Sequence, residues 1–202
     1  RINSKGLNTS AVLGFTNSLL EVINNHSPSH LVVAFDPPGV SNREETFSDY
    51  KANRQEMPED IRSAIPYIQE LIKAMNISSV VIPGYEADDL IGTIAKEAEK
   101  KGFETYMMTP DKDFGQLVSE KIFIYKPGRG GAPSEILGPK EVCEKFEIKE
   151  PTQVIDILGL WGDAVDNIPG VPGIGEKTAK KLIGQYGSIE NLLSNTNDLK
   201  GK

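Results

Sequence analysis

Three short apolar runs in this chain each stop at a carboxylate, and no other feature limits its fold as tightly. Leu31-Val32-Val33-Ala34-Phe35 runs into Asp36, Ser79 to Ile82 runs into Pro83-Gly84-Tyr85-Glu86-Ala87-Asp88-Asp89, and Glu104 to Thr109 runs into Pro110-Asp111-Lys112-Asp113. Apolar runs of this length, bounded by Gly and Pro, read as strands, and the unbroken run 31–35 reads as a buried parallel one. A fourth strand is expected over Ile122 to Tyr125. Between the strands lie helical patterns. Ser10 to Asn24 repeats Val12, Phe15, Leu19, Leu20 and Ile23; Glu59 to Met75 repeats Ile61, Ile65, Ile68, Ile72 and Met75, with a kink expected at Pro66; Ala87 to Lys101 stops at Gly102. Strands alternating with helices predict an α/β fold with a mostly parallel, doubly wound sheet.

The Gly/Pro-rich stretch from Pro127 to Pro133 separates this part from short helices expected at 139–146, 151–160, 176–185 and 188–193. The chain therefore divides into an α/β core, 1–138, holding a polar segment at 37–60, and a helical subdomain, 139–202, holding a glycine turn at 170–178.

In an open parallel sheet the carboxyl ends of the strands share one edge, where ligands bind. Asp36, Glu86, Asp88, Asp89, Asp111 and Asp113 are expected to meet there. Such a density of like charge needs an opposing one. Hard divalent cations with oxygen ligands, Mg²⁺ or Mn²⁺, supply it. Two such ions about 4 Å apart suit in-line displacement at phosphorus. Taken singly, each acid has a plainer use as a helix cap or a solvated loop residue. Recurrence at three strand ends is what points to metal. Asp163 and Asp166 form a further acidic pair whose spacing fits one side of a helical turn, with the same two readings open.

Following that pair, Gly173-Ile174-Gly175 makes a tight turn before a helix that carries Lys177, Thr178, Lys180 and Lys181. Glycines let a backbone approach phosphate closely, and a helix N-terminus offers unpaired N–H groups. The pattern reads as a helix-hairpin-helix grip on the DNA backbone, independent of base sequence; a plain turn between packed helices is the alternative. The stretch is not a nucleotide-binding loop, because Glu176 separates Gly175 from Lys177 and helices precede the turn. The segment 37–60 carries Arg43, Tyr50, Lys51 and Arg54. It reads either as a solvated loop or as a basic arch over single-stranded DNA.

A net charge of −7 argues against nucleic acid only if the charge is spread evenly. With the eight candidate ligands set aside, the remainder is close to neutral. No apolar run approaches a membrane span. The single cysteine, Cys143, fits a reducing cytosol and an inert half-buried thiol. Both ends read as cuts in a longer protein.

These motifs together resemble the structure-specific 5′ nuclease family, which includes flap endonucleases, and within it the 5′-3′ exonuclease domains of bacterial DNA polymerases I. Asp36 after its strand, Tyr50-Lys51-Ala52-Asn53-Arg54, Glu86-Ala87-Asp88-Asp89, Asp111-Lys112-Asp113, Gly162-Asp163 through Gly170, and Gly173 to Ala179 follow the family's order along nearly the whole chain. The resemblance implies two-metal hydrolysis of 5′ flaps near the junction with duplex, and K⁺ bound by backbone carbonyls of the hairpin. By position, Asp36, Glu86 and Asp88 would serve one metal, and Asp111, Asp113 and Asp166 the other. Asp89 and Asp163 would lie in or near the shell. Lys51 and Arg54 would contact the scissile phosphate, with Arg43 and Tyr50 also on the DNA. The partners implied are branched or nicked DNA and a polymerase domain of the same parent chain, in a cytoplasmic, nucleoid-associated setting. Family members also begin with a strand ending in a further metal-binding aspartate, so the sheet is expected to lack that first strand and this fragment to be impaired. Pro110 stands where the family usually has glycine. Two rivals remain at this level: a catalytically weak junction-binding module, and a related ribonuclease, against which the hairpin counts.

Overall fold

A computed structural model describes residues 2–4, 6, 8–128 and 132–198. The chain forms two compact units, one of residues 1–41 and 54–90, the other of 42–53 and 91–202.

In the first unit, helix α1 (Ser10–His26) packs on α3 (Glu59–Ala74), burying Leu19, Ala64 and Ile72. Helix α3 starts behind Pro58 with Glu59 and Asp60 in its first turn, and it runs on through Pro66. Strand β1 (Val32–Ala34) pairs in parallel with β2 (Ser78–Val80), Val32 opposite Ser78 and Ala34 opposite Val80. The run 31–35, expected to be buried, is only partly so: Val32 is 41% exposed. A two-stranded ladder has no inner position, so among the described residues each strand has one edge outside the ladder. Helix α4 (Ala87–Lys100) gives its first residues to this unit and the rest to the other, and ends before Gly102 at φ +87°.

In the second unit, β3 (Thr105–Met108) lies parallel to β4 (Ile122–Lys126), and β5 (Glu135–Leu137) lies antiparallel on the far side of β4. Being central, β4 buries Ile122, Ile124 and Tyr125. The expected linker 127–133 leads into β5, a strand the sequence did not announce, and residues 129–131 lie outside the described residues. Three residues are too few to show a period. Helices α5 (Pro139–Phe146), α6 (Val154–Trp161), α7 (Glu176–Tyr186) and α8 (Ile189–Ser194) follow, with α6 led in by a 3₁₀ turn at Pro151–Gln153. One core runs from Ala95, Met107 and Ile124 through Phe114, Val142 and Ile157 to Ile183 and Leu192. Short helix α2 (Asn42–Thr46) belongs to the same unit. The class is as expected, mixed α/β with parallel pairing followed by a helical part. Among the described residues, β1–β2 and β3–β4–β5 are separate ladders.

Ile157 sits at the middle of that core with 0% of its surface exposed. Ile157→Ala should cost about 2–5 kcal/mol, since the cavity adds to the lost transfer energy. Urea unfolding measures it, and an unchanged midpoint would mean α6 is not part of the cooperative core.

Candidate acidic sites and glycine turn

In the first unit, β1 delivers Asp36 to the start of α4, where its Oδ1 accepts the Ala87 N–H at 2.7 Å. Asp89, one turn in, reaches back to accept the Glu86 N–H at 3.0 Å. Both bonds satisfy donors that a helix start leaves without an intrahelical partner, and the positive end of the helix favours the carboxylates. Asp88 lies in the same first turn, and Glu86 is 7% exposed. The four acids predicted from the β1 and β2 ends are thus gathered at one helix N-terminus.

The second unit brings Asp111, Asp113 and Asp163 around Lys112, with the backbone of Asp166 beside Asp163. Asp111 caps the 3₁₀ helix Lys112–Leu117 by accepting the Asp113 N–H at 3.0 Å. Asp163 and Asp166 do not lie on a helical turn, as their spacing suggested. They sit on a β-hairpin formed by β6 (Gly162–Asp163) and β7 (Ile168–Pro169). Two glycines make that hairpin possible. A Cβ on Gly170 would lie 2.3 Å from the Trp161 carbonyl, and one on Gly162, at φ +79°, would lie 2.3 Å from the Gly170 nitrogen. Asp163 Oδ1 accepts the Val165 N–H at 2.8 Å, which turns the chain so that Asp166 N–H comes to 3.4 Å from the same oxygen.

Lys112 projects into this group. Its ammonium donates to Asp163 Oδ2 at 2.5 Å, stands 3.6 Å from Asp113 Oδ1, and lies 5.4 Å from the centre of the Trp161 ring. Burial works against its charge, but Asp163, Asp113 and Asp111 together hold its pKa above the usual lysine value. Burial likewise opposes ionisation of Asp163, yet the Lys112 bond and the Val165 N–H bring its pKa below the ordinary range. Asp113 goes the other way: burial first, and then the charge of Asp111, push its carboxyl up. Its Oδ1 is out of solvent and accepts no hydrogen bond. A cleft of about 650 Å³ beside Lys112 is walled by Phe47, Asp49, Trp161, Asp163 and Asn167.

Residues 42–53 are fastened to the acidic hairpin. The Lys51 N–H donates to the Asp166 carbonyl at 2.9 Å, Asn53 Nδ2 to the Ala164 carbonyl at 2.9 Å, and Asn167 Nδ2 to the Asp49 carbonyl at 2.7 Å. Tyr50, predicted to touch DNA, is 6% exposed; its hydroxyl donates to Asp166 Oδ2 at 3.3 Å and accepts from Arg43 at 3.3 Å. Its ring instead carries the Lys51 ammonium at 4.7 Å. Arg54 is exposed and belongs to the first unit.

At the glycine turn, Gly173 adopts φ +84°, which favours glycine, whereas Gly175 has extended backbone and open space, with nothing within 4 Å of where a Cβ would stand. Lys177, Thr178 and Lys181 are exposed on the first turns of α7. Lys180 is not presented in the same way. Its ammonium donates to the Lys145 carbonyl at 2.8 Å and pairs with Glu176 at 2.8 Å, leaving the side chain 13% exposed. It ties α7 to the end of α5.

Among the described residues no three His, Cys, Asp or Glu side chains form a metal-holding group. The predicted acids are brought together in each unit, but in the second an ammonium stands among them. Lys112, Asn53, Asn167, Gly162 and Gly170 stood within the quoted motifs but were given no role of their own. Lys112 between two acids was a visible signal; the others act through contacts more than a hundred residues apart or through backbone approach.

Residues 1–147 match the family model of the 5′-3′ exonuclease N-terminal resolvase-like domain, and residues 149–202 that of the 5′-3′ exonuclease C-terminal SAM fold. The architecture is therefore a resolvase-like domain followed by a SAM-type helical fold. The chain belongs to the 5′-3′ exonuclease family. It is 44% identical over 200 residues to DNA polymerase I of Bacillus subtilis, covering 99% of this chain and 23% of that protein. To a 5′-3′ exonuclease of Aquifex aeolicus it is 41% identical over 192 residues, 95% of this chain and 65% of that one. Among solved structures it resembles the T5 5′-exonuclease with bound zinc, at TM-score 0.78 and 21% identity over 96% of this chain and 73% of that one. It also resembles the catalytic core of Rad2 in complex with DNA substrate, at TM-score 0.64 and 19% identity over 98% and 62%. At those identities the likeness is one of fold.

The glycine contact under the acidic hairpin leaves no room for a methyl group. Gly170→Ala should destabilise the protein by about 1–3 kcal/mol or more, the range for overpacking, because its neighbours are backbone and cannot turn away. Thermal unfolding tests it; a wild-type midpoint would show that the hairpin opens freely.

Proposed function

We propose that this chain is the 5′-3′ exonuclease and 5′-flap endonuclease domain of a DNA polymerase I, cutting phosphodiesters in nicked or branched DNA with divalent ions, Mg²⁺ or Mn²⁺. The chain spans only 23% of the Bacillus subtilis polymerase it matches at 44% identity, which supports a polymerase domain in the same parent chain. Replication and repair DNA in the cytoplasm would be its substrate. No helix among the described residues is long and apolar enough to cross a membrane.

The observation that carries the metal reading is the buried, hydrogen-bond-free Oδ1 of Asp113 beside Asp111 and Asp163. Oxygen donors of this kind suit a hard divalent cation. In the first unit Asp36, Glu86, Asp88 and Asp89 would hold one ion. In the second, Asp111, Asp113 and Asp166, with Asp163 close by, would hold another. Such an ion supplies Lewis acidity and counter-charge at phosphate. The chain's own residues do the positioning. Backbone N–H groups fix Asp36, Asp89, Asp111 and Asp163 through one oxygen each. Because the Lys51 backbone is bonded to Asp166 itself, the Lys51 ammonium is carried with that acid. Lys51 and Arg54 are assigned to the scissile phosphate, with Arg43 supporting Tyr50. Gly173, Gly175, Lys177, Thr178 and Lys181 would grip the duplex backbone, with K⁺ at the turn.

Asp113→Asn keeps the shape and removes the charge. Cleavage of a 5′-flap DNA in Mg²⁺ should fall on the order of a hundredfold or more, since the lost stabilisation amounts to several kcal/mol. DNA affinity should stay near wild type, and unchanged turnover would remove the metal reading.

Gly175→Val separates fold from grip, because the chain has space for the side chain. Thermal stability should hold while duplex affinity drops equally for all sequences. Wild-type affinity should fall with salt at a log–log slope of roughly −2 to −4, as expected for a few phosphate contacts. Undiminished affinity in the valine variant, or a preference for one base sequence, would count against the hairpin assignment.

A further inference from the structure

Lys112 stands between two acids in sequence and bridges two in space. Its Nζ is 2.5 Å from Asp163 Oδ2 and 3.6 Å from Asp113 Oδ1, so one ammonium links carboxylates on separate chain segments. The two distances are unequal in a telling way. Asp163 receives a short charge-assisted hydrogen bond. Asp113 Oδ1 receives nearby charge but no hydrogen bond, although it is out of solvent. The ammonium therefore offsets repulsion at Asp113 without coordinating it, leaving an oxygen that a harder cation would take up. Lys112 is 29% exposed at its side chain and has a flexible stem, so it has a route out toward solvent. An ammonium and a divalent ion also cannot occupy the same space among these oxygens.

We propose that Lys112 is the built-in counter-ion of this acidic group: its ammonium bridges Asp163 and Asp113 when no divalent ion is bound, and is displaced when one enters. The inference rests on the metal reading of these acids given above. On this basis Lys112 stabilises the metal-free protein. It also lowers the apparent affinity for the metal, because only molecules with the ammonium swung away can bind. Lys112 is thus a positioning residue, and Trp161, the single tryptophan of the chain, reports its departure, since the ammonium lies 5.4 Å from that ring.

The test uses the protein with Lys112→Met, which keeps the stem and removes the charge, and Lys112→Arg, which keeps the charge. Lys112→Gln serves as a second uncharged variant should the first fail to fold. Mg²⁺ affinity is measured by calorimetry, Trp161 emission is followed through the same titration, and melting is recorded in EDTA and in saturating Mg²⁺. The uncharged variants should bind Mg²⁺ roughly three- to tenfold tighter, as expected if the lysine occupies the site most of the time. They should melt lower in EDTA and recover in Mg²⁺. Trp161 emission should respond to Mg²⁺ in wild type and Lys112→Arg, and far less in the uncharged variants. Equal or weaker Mg²⁺ affinity in the uncharged variants, or the same melting loss with and without Mg²⁺, would overturn the inference and leave the metal reading standing. Failure of wild type and variants alike to bind Mg²⁺ would overturn both.

Discussion

Carboxylates set beside one another repel, and in both units something other than their neighbours has to hold them in place. That work is done by backbone N–H groups at helix starts and in one hairpin turn. Ala87 donates to Asp36, Glu86 to Asp89, Asp113 to Asp111, and Val165 to Asp163. An ionised carboxylate has two acceptor oxygens, so a bond to one fixes its direction while the group keeps capacity at the other. Capping and metal binding, which compete as explanations when a single acid is read in sequence, are therefore compatible uses of one residue. The cap supplies the orientation that a ligand needs.

The same economy holds for the basic segment. Lys51 and Asn167 both adopt left-handed backbone, at φ 56° and 57°. Asparagine tolerates this conformation, and lysine does so at a cost on the order of 1–3 kcal/mol. Strain of that size persists only where surrounding contacts overdetermine it. Here four do: Lys51 to Asp166, Asn53 to Ala164, Asn167 to Asp49, and the Tyr50 hydroxyl to Asp166. The result is that a cation-bearing loop is tied to an acid-bearing hairpin at four points. Tyr50 is central to it, buried where a contact with DNA was expected.

How much of this was legible in the sequence depended on how local each signal was. Strands β3 and β4 and helices α3, α4, α5 and α7 fell close to their expected places, because period and breakers are written into adjacent residues. Within the first unit Asp36 and Asp89 meet at the start of α4, and within the second Asp111, Asp113 and Asp163 surround Lys112; the single shared edge expected for all six strand-end acids is not what these contacts describe. What escaped was set by partners far along the chain. The Tyr50–Asp166 bond spans 116 positions, and no window of sequence contains both residues. The 162–170 hairpin escaped for a different reason: Asp163 and Asp166 have helical spacing, and only the backbone contact of Gly162 with Gly170 decides against a helix. Strand β1 was read as buried from its apolar run, but burial depends on what covers a strand and not on its composition alone. Lys180 and Lys177 look alike in sequence; the reach of the Lys145 carbonyl and Glu176 is what turns Lys180 inward.

A chain of net charge −7 proposed to grip DNA must avoid being repelled by it. Screening makes distant charges weak, since at physiological salt the Debye length is about 8 Å. What matters is the sign of charge within that distance of the phosphates. On α7 the exposed groups near the glycine turn include Lys177 and Lys181, while Glu176 is neutralised internally by Lys180. In the second acidic group, Lys112 offsets Asp163 and Asp113 in place. Replacing that single ammonium by a divalent ion would add a positive charge to the group and free a lysine beside it. The lysine is already counted in the charge of the group, so the local field facing a phosphate would become more positive by no more than the ion's own charge. An acidic total is therefore no obstacle on the proposed reading, in which the clustered acids hold cations.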